Sequence, residues 1–563
     1  MQIGIAKKGE NKIYKKIMKI SKSNIVLALL MNIAFFLFFF FFLGIHFETN
    51  DDSGMASITA GATGISTSRI VFINVMIGKV LKHMTRVLPI CNWYTVAQIC
   101  CVYVALTSIT YVLIKKEKKF GIISSILILS YFGFEGYVNL QFTKTAGFAS
   151  VAGIILIAYS LEKRKSIIAY LLGGMILVVG SCYRFEACGL TLLILSYVGI
   201  SYIFRRLKEH GEKKEIIQYI VAWLLVFIVV ITAKKIDDYS YDSVQEYSEF
   251  RTYNSLRAEL LDHGFPDFNE NQELYQSLNI SAEDLKLFQN WNFADPDVFN
   301  IDSMRLLVDA KKAKKIDLVT IKDFVYKILH GIVYEHSYII YLAIAVVMIL
   351  LNKKSWCIIM WSCAIYLLIE FGFYYTDRYL LHRVETVIWL AQSILILYYY
   401  EPENNNLKIN AFQSVLLMLV AILINSNLYV DEYKMNREDW SYYRRIIEEI
   451  DRDDEHLYVL GTLDELVNKS YDALDEIPFG IRDNITLLGG WSTDFPTEEY
   501  VLEKYDINNI YKDSVNNPSI YFAGYGNVDN ILGYIQRHYC SNAQLELVRN
   551  IEDMVVYRVI TAE

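Results

Sequence analysis

Long apolar runs constrain this chain more than any motif does. About eleven stretches come close to the roughly 20 apolar residues that one helix needs to cross about 30 Å of hydrocarbon. They lie near 24–46, 93–114, 120–138, 144–161, 166–182, 187–204, 216–233, 336–351, 355–374, 384–400 and 409–429. Hydrophobic residues make up 54% of the chain and fall in blocks, not in amphipathic stripes. The sequence therefore predicts a mainly α, polytopic bundle of about 11 transmembrane helices.

Charges in the short connections predict the orientation of the bundle. The N-terminal segment 1–23 is rich in lysine, and alternate connections read KKEKK, EKRK, RRLKEHGEKKE and NKK. Short cytoplasmic loops keep Lys and Arg, so we expect the N-terminus inside and the C-terminus outside. The first apolar run is too long for a signal peptide and no small-residue cleavage site follows it, so it is interpreted as a retained helix.

Three polar portions divide the spans. The first external loop, 47–92, interrupts helices 1–7 of the segment 24–233, and it contains a stretch with the spacing of a helix at the membrane surface. A large external loop, 234–335, has signals for several short helices and precedes helices 8–11 at 336–429. Residues 430–563 mix strand patterns such as HLYVLG and ITLLGGW with helices. This mixture predicts a small extracytoplasmic α/β domain.

Acidic residues gather where the first apolar run ends. Glu48, Asp51 and Asp52 begin a Gly-rich loop that we expect to fold back on the membrane. Burial and a like neighbour can raise the pKa of one carboxyl group and suit it to proton transfer. The alternative is that the cluster only marks the point where a helix reaches water.

A second candidate is YYTDRYLLHRVE, residues 374–385, at the outer edge of two spans. Arg378, His382 and Arg383 lie there, and guanidinium groups bind phosphate oxygens in a bidentate manner. At a membrane edge the phosphate of a lipid is the obvious ligand. Interface anchoring by Arg beside Tyr is the alternative.

Two more external turns carry charges close to hydrocarbon. SCYRFEACG places Arg184 and Glu186 between two apolar runs, either as part of a polar cavity or as a neutral hairpin tip. YVNLQFTKTAG places Lys144 beside amide and hydroxyl groups that can bind a sugar or a phosphate, although a simple polar loop is an equal alternative.

Together, the first long helix, the acidic pair opening a large external loop, the basic late loops and the C-terminal α/β domain resemble the GT-C superfamily of membrane glycosyltransferases. The resemblance implies transfer of a sugar from a polyprenyl phosphate on the outer face of the membrane. It implies that Asp51 or Asp52 is the catalytic base or substrate anchor, with Glu48 as a weaker candidate. It also implies that Arg378 and Arg383, with Arg184 as a further candidate, hold the lipid phosphate.

The expected function is thus a hexosyltransferase, inverting because one base suffices, in a bacterial cell membrane with its active site facing outward. The acceptor is a glycan or lipid of the envelope, such as teichoic acid or capsular polysaccharide. We expect no required cofactor, while Mg²⁺ or Mn²⁺ at Asp51 and Asp52 stays open. The sequence has no basic tract interleaved with aromatic residues, so it does not predict nucleic acid binding. A polymerase or ligase of lipid-linked oligosaccharide, or a lipid or polysaccharide transporter, are the alternatives.

Overall fold

The computed structural model describes residues 23–562 except 165, 210–211, 312–317, 332–335, 352–354, 377, 401–424, 436–440, 462–465, 467–468, 516 and 525–528. The basic segment 1–22 and most of the predicted span 409–429 lie outside the described residues.

The described elements follow one another along the chain as helices α1 to α22 and strands β1 to β7. The helices are α1 (Asn24–Phe42), α2 (Asn50–Ala60), α3 (Val75–Val87), α4 (Trp93–Lys116), α5 (Lys118–Tyr137), α6 (Phe142–Tyr159), α7 (Ile167–Tyr183), α8 (Phe185–Lys208), α9 (Lys213–Asp242), α10 (Gln245–His263), α11 (Gln272–Ser277), α12 (Ala282–Gln289), α13 (Ile301–Asp309), α14 (Leu318–Gly331), α15 (His336–Leu351), α16 (Ser355–Tyr375), α17 (His382–Tyr398), α18 (Ser426–Met435), α19 (Ser441–Asp451), α20 (Pro496–Lys504), α21 (Ile510–Asp513) and α22 (Asp529–His538). The strands are β1 (His46–Phe47), β2 (Asn139–Leu140), β3 (Leu457–Leu460), β4 (Ile485–Leu487), β5 (Ile520–Gly524), β6 (Ala543–Ile551) and β7 (Met554–Thr561).

The apolar helices form a membrane-type bundle. Among the described residues, seven helices are long and apolar enough to cross a membrane, namely α1, α4, α5, α6, α8, α9 and α16. Each of the first ten predicted spans coincides with a helix, although α9 continues to Asp242, beyond the predicted end at 233. The predicted polytopic helical fold is therefore confirmed, while the number of crossings and their orientation stay predictions.

Helix α6 is the centre of the bundle. All of its residues are buried, and it contacts α4, α7, α8 and α17. Small residues recur over 146–153, which lets neighbouring backbones approach closely where no hydrophobic effect drives helices together in lipid. At the N-terminal end of α6, strand β2 pairs in parallel with β1, which ties the start of the first loop to the bundle.

The C-terminal part forms a five-stranded sheet in the order β4-β3-β5-β7-β6. Strands β4, β3 and β5 are parallel, and β7 and β6 run antiparallel at one edge. The predicted α/β character of this part is confirmed. One face of the sheet shares a hydrophobic core with the helices α10 to α13, since Tyr253, Leu260 and Phe299 pack in one cluster with Val459 and Phe522. We call residues 245–309 and 441–561 together the sheet layer.

The first predicted external loop forms two helices against the end of the bundle. Helix α3 begins where the Asn74 side chain accepts a hydrogen bond from the backbone N–H of Met76 at 2.9 Å. Its exposed side includes Met76, Val80 and Val87, as expected of a helix that lies against apolar surroundings. Helix α2, which carries the acidic pair, lies between this end of the bundle and the sheet layer.

Candidate active site

A cavity of about 680 Å³ lies between the bundle and the sheet layer. Its bundle wall comes from α2, the turn between α7 and α8, and residues 378–383. Its sheet-layer wall comes from α10, Trp291 and the residues around β4. Five guanidinium and four carboxyl groups line it: Arg184, Arg257, Arg378, Arg383, Arg482, Asp51, Glu186, Asp262 and Glu498.

Helix α2 presents Asp51 to this cavity. Thr49 precedes the helix in an extended conformation, and Asp51 and Asp52 fall in the first turn, where the positive end of the helix dipole stabilises a carboxylate. Consecutive residues of a helix differ by about 100° in direction, so the two carboxyl groups lie on different faces. The Asp51 side chain is 18% exposed, and its Oδ2 lies 3.7 Å from Nη2 of Arg383.

Asp52 instead lies inside the protein, behind the cavity wall. Its Oδ1 accepts hydrogen bonds from the Tyr94 hydroxyl at 2.8 Å, the Gln98 amide at 2.9 Å and the backbone N–H of Phe142 at 3.1 Å. Burial raises the pKa of the Asp52 carboxyl to about 7, although the bonds from Tyr94 and Gln98 oppose that shift. Asp52 therefore joins α2 to α4 and α6 and does not face the cavity.

The environment of Asp51 suits proton transfer. Burial raises the pKa of Asp51 above its ordinary value, and this effect outweighs the opposing charges of Arg383, Arg184 and Arg257. A base is most effective when its pKa approaches the working pH. Asp51 is thus a cavity-facing carboxylate with a raised proton affinity.

Arg184 lines the bundle wall of the cavity, as Asp51 does. It caps the turn between α7 and α8, donates from Nη1 to the Thr143 hydroxyl at 3.0 Å, and lies over the Phe142 ring at 5.0 Å. Glu186 is 75% exposed, and its carboxylate lies 3.7 Å from Nε of Arg184. Arg184 and Glu186 both line the cavity, so they are more than the neutral tip of a hairpin.

The segment around 378–383 contributes two more guanidinium groups. Arg378 donates to Oδ2 of Asp262 at 2.9 Å, which joins this segment to α10. Arg383 lies in the first turn of α17 and contacts Asp51. His382, its neighbour in the chain, is directed to Glu135, with Nε2 and Oε2 3.3 Å apart.

An ionic cluster of Lys144, Glu48 and Glu135 lies near the site. Nζ of Lys144 lies 2.5 Å from Glu48 and 2.7 Å from Glu135, and the Lys144 side chain is 1% exposed. The lysine offsets part of the charge of the two carboxylates, and a buried carboxylate such as Glu135 requires such a partner. The structure thus brings Asp51, Arg184, Glu186, Arg378 and Arg383 to one cavity, whereas Asp52, Glu48, Lys144 and His382 are not among the residues that line it.

Two tryptophans shape the cavity, and the sequence alone did not assign them. A Cβ atom on Gly54 would lie 2.6 Å from the Trp491 ring, so the glycine lets this ring lie directly against α2. A Cβ atom on Gly489 would lie 2.0 Å from the Trp291 carbonyl oxygen, so the backbone there approaches Trp291 closely. Both rings line the cavity.

Arg257 and Arg482 are the other residues that sequence reasoning missed. Arg257 lies on α10 with its guanidinium 5.0 Å from the centre of the Trp291 ring. Arg482 precedes β4, and its backbone N–H donates to the carbonyl of Ala62 just after α2. The helical signals in the segment of α10 do not show which face meets a distant sheet, and no motif marks Arg482, so sequence reasoning assigned neither residue.

The donor set does not fit a cation shared by the acidic pair. Asp51 and Asp52 lie on different faces of α2, and Oδ1 of Asp52 is occupied by three donors. Within the part of the chain that the structure describes, no group of three or more His, Cys, Asp or Glu residues is placed to hold a metal ion.

Comparisons with known proteins add a distant structural similarity. No family model matches the chain, and no curated protein matches it. The structure is similar to that of ArnT from Cupriavidus metallidurans bound to undecaprenyl phosphate, with 10% identity, a TM-score of 0.37, and 95% of this chain and 97% of ArnT covered. The apo state of the same protein gives 9% identity over the same shares, also at a TM-score of 0.37. At this identity and TM-score, the similarity carries no argument about fold or activity.

Proposed function

We propose that this chain is a membrane glycosyltransferase that moves a sugar from a polyprenyl phosphate to an acceptor hydroxyl. One observation carries the proposal. Asp51, a carboxylate with a raised pKa, faces a cavity of about 680 Å³ that is lined by five arginines and lies where the apolar bundle meets the sheet layer. Such a cavity suits a substrate that has an anionic head and an apolar tail.

The bundle wall is the proposed site of the donor phosphate. Arg184, Arg378 and Arg383 carry planar guanidinium groups, whose geometry matches phosphate oxygens. Tyr379 and Leu381 lie between the last two of these arginines in the chain, and they are 71% and 38% exposed. These apolar side chains give the polyprenyl tail a path from the phosphate towards the lipid.

The proposed reaction is a direct displacement. The acceptor oxygen loses its proton to Asp51 and forms a bond with the anomeric carbon, while the bond from that carbon to the phosphate oxygen breaks. The guanidinium groups stabilise the charge that develops on the leaving phosphate. When the phosphate binds, it shares Arg383 with Asp51 and adds negative charge nearby, which raises the pKa of Asp51 further. A single base implies inversion at the anomeric carbon.

The two tryptophans have a role consistent with a sugar substrate. Trp291 and Trp491 line the cavity on its sheet-layer wall. An aromatic face offers apolar contact area to the C–H groups of a sugar ring and leaves its hydroxyl groups free for hydrogen bonds. Which sugar and which acceptor bind there is part of the proposal to be tested.

The test is transfer of radiolabelled sugars from a panel of polyprenyl-phosphate donors by membranes containing the protein. Arg383→Gln should raise the donor KM by about tenfold or more, because a charge-assisted hydrogen bond contributes about 1.5–3 kcal/mol. Arg445→Gln is the matched control, since Arg445 is exposed on the sheet layer and pairs with Glu552 at 3.4 Å. Transfer from no donor above empty membranes would refute the proposal.

A polymerase or ligase is the second candidate, and one observation favours it. A neighbouring pocket of about 320 Å³ shares Leu487, Ser492 and Glu498 with the cavity. Together the two spaces can hold more than one sugar unit, as an oligosaccharide acceptor requires. Comparing a monosaccharide acceptor with oligosaccharides of increasing length separates this candidate from single-sugar transfer.

A further inference from the structure

We infer that Arg257 and Arg482 bind a second oxyanion, a phosphate or carboxylate distinct from the phosphate held at the bundle wall. The inference deepens the proposed function, since it assumes that Arg184, Arg378 and Arg383 hold the donor phosphate. It assigns a substrate class to the sheet-layer wall, where the sequence assigned no residue a role.

Arg257 carries the first part of the argument. Its side chain is 4% exposed, yet it lines the cavity. Nε donates to Oδ1 of Asn254 at 2.9 Å, and the guanidinium lies 5.0 Å from the centre of the Trp291 ring, so the group is held in one orientation. Nη1 is buried and has no hydrogen-bond partner among the described residues.

Arg482 carries the second part independently. Its side chain is 5% exposed and lines the same cavity. The buried Nε has no hydrogen-bond partner within the described residues. Its backbone N–H donates to the carbonyl of Ala62, which fixes the arginine to the end of α2.

Among the described residues, Arg257 and Arg482 each have one buried donor without a partner, which is costly on a charged group. Burial lowers the pKa of both arginines, although the nearby carboxyl groups of Asp262 and Glu498 oppose that fall at Arg257 and Arg482 respectively. The other three arginines have hydrogen-bond or ion-pair partners. Arg184 bonds Thr143, Arg378 bonds Asp262 at 2.9 Å, and Arg383 pairs with Asp51. A buried charged donor without a partner pays its full desolvation penalty. Since both side chains line the cavity, an oxyanion there would offset the charge of each guanidinium group, although the unpaired Nη1 and Nε atoms themselves are shielded from it.

The position of Arg257 relative to Asp51 limits which substrate group the second oxyanion can belong to. Arg257 is near enough to Asp51 for its charge to oppose the rise in the pKa of that carboxyl. An oxyanion on Arg257 therefore lies close to the base. It also lies near the arginines proposed for the donor phosphate, because Asp262, which Arg378 bonds at 2.9 Å, also acts on Arg257. Two sources share this chemistry: an acidic group of the acceptor, or a second phosphate of a diphosphate donor.

Binding to the purified full-length protein in detergent tests the inference without turnover. Tryptophan fluorescence, to which the cavity-lining Trp291 and Trp491 contribute among the eight tryptophans of the chain, reports ligands at the cavity, and isothermal titration gives affinities. The probes are farnesyl phosphate, farnesyl diphosphate, sn-glycerol 1-phosphate and neutral glycerol. The variants are Arg257→Gln, Arg482→Gln and Arg383→Gln, with Arg257→Lys to keep the charge and Arg445→Gln as the control.

We expect glycerol phosphate to bind while farnesyl phosphate is saturating. Arg257→Gln and Arg482→Gln should each weaken glycerol phosphate by about tenfold or more and leave farnesyl phosphate nearly unchanged. Arg383→Gln should do the reverse, and Arg257→Lys should recover part of the affinity. If farnesyl diphosphate binds more tightly than the monophosphate and Arg257→Gln removes that gain, the second oxyanion is the donor's own.

Any one of three results would overturn the inference. The first is competition between glycerol phosphate and farnesyl phosphate, and the second is binding of glycerol phosphate no tighter than that of glycerol. The third is that Arg257→Gln and Arg383→Gln weaken the binding of the same probes equally. Failure of the proposed function has a different signature. In that case farnesyl phosphate would not bind, while binding of glycerol phosphate would still depend on Arg257.

Discussion

Removing the Asp52 side chain should destabilise the attachment of α2 to the bundle. Oδ1 of Asp52 accepts three hydrogen bonds, so Asp52→Ala leaves the donors of Tyr94, Gln98 and Phe142 without that acceptor. Each buried donor left unsatisfied costs about 1–3 kcal/mol. Since water can enter the vacated space and bind some of them, we expect a loss of about 3 kcal/mol. Asp52→Asn keeps an oxygen at the Oδ1 position and should cost under about 1 kcal/mol.

The pH dependence of the same site gives a second, signed readout. Burial raises the pKa of Asp52 from 3.8 to about 7, so the folded protein holds this proton more tightly than the unfolded chain does. The stabilisation is complete below the unfolded pKa and is lost as the pH rises through about 7. Asp52→Asn cannot titrate, so its stability relative to wild type should increase over that interval and then level off.

The assay is the fraction of purified protein that stays monodisperse after heating, measured from pH 5 to 8. Asp52→Ala should lose the monodisperse form at clearly lower temperature than wild type, and Asp52→Asn should not. The reasoning is refuted if Asp52→Ala is as stable as wild type. It is also refuted if the difference between Asp52→Asn and wild type does not change with pH.

Two further substitutions test the contacts that hold the residues around the cavity in place. Lys144→Met leaves the buried carboxylate of Glu135 and the half-buried carboxylate of Glu48 without their lysine. It should cost about 3–5 kcal/mol, seen as loss of folded protein from membranes. Normal yield and thermal stability would contradict this. Gly54→Ala places a Cβ atom 2.6 Å from the Trp491 ring, so the ring must shift while the helix gains intrinsic propensity. We expect unchanged or higher stability with altered tryptophan fluorescence and reduced transfer, and unaltered fluorescence would argue against this packing.

The sequence was informative where local rules decide the structure. Apolar length predicts the spans because the thickness of the bilayer sets it, and a helix coincides with each of the first ten predicted stretches. The sequence also identified Asp51 and Asp52 as candidates, but it could not separate them. Their directions depend on where α2 begins, and a shift of one residue would put one carboxyl group in the place of the other.

Contacts between distant segments were beyond such rules. Arg257, Trp291, Arg482 and Trp491 reach the cavity only because the sheet layer packs over α2. That packing depends on tertiary contacts such as the shared core of Tyr253 and Val459, which no periodicity in either segment encodes. Lys144 is similar, since its partners Glu48 and Glu135 come from two other elements and the sequence presented it as a polar loop residue.

The most direct test of the central claim is sugar transfer by Asp51→Asn beside Asp52→Asn, with matched protein levels and a donor that wild type uses. Asp51→Asn should lower kcat by about 10²–10⁴, because general base catalysis contributes that much, while binding of the donor changes little. Asp52→Asn should keep most of the activity, since its carboxyl group lies behind the wall. Full activity in Asp51→Asn, or equal losses in the two variants, would contradict the assignment of Asp51 as the base.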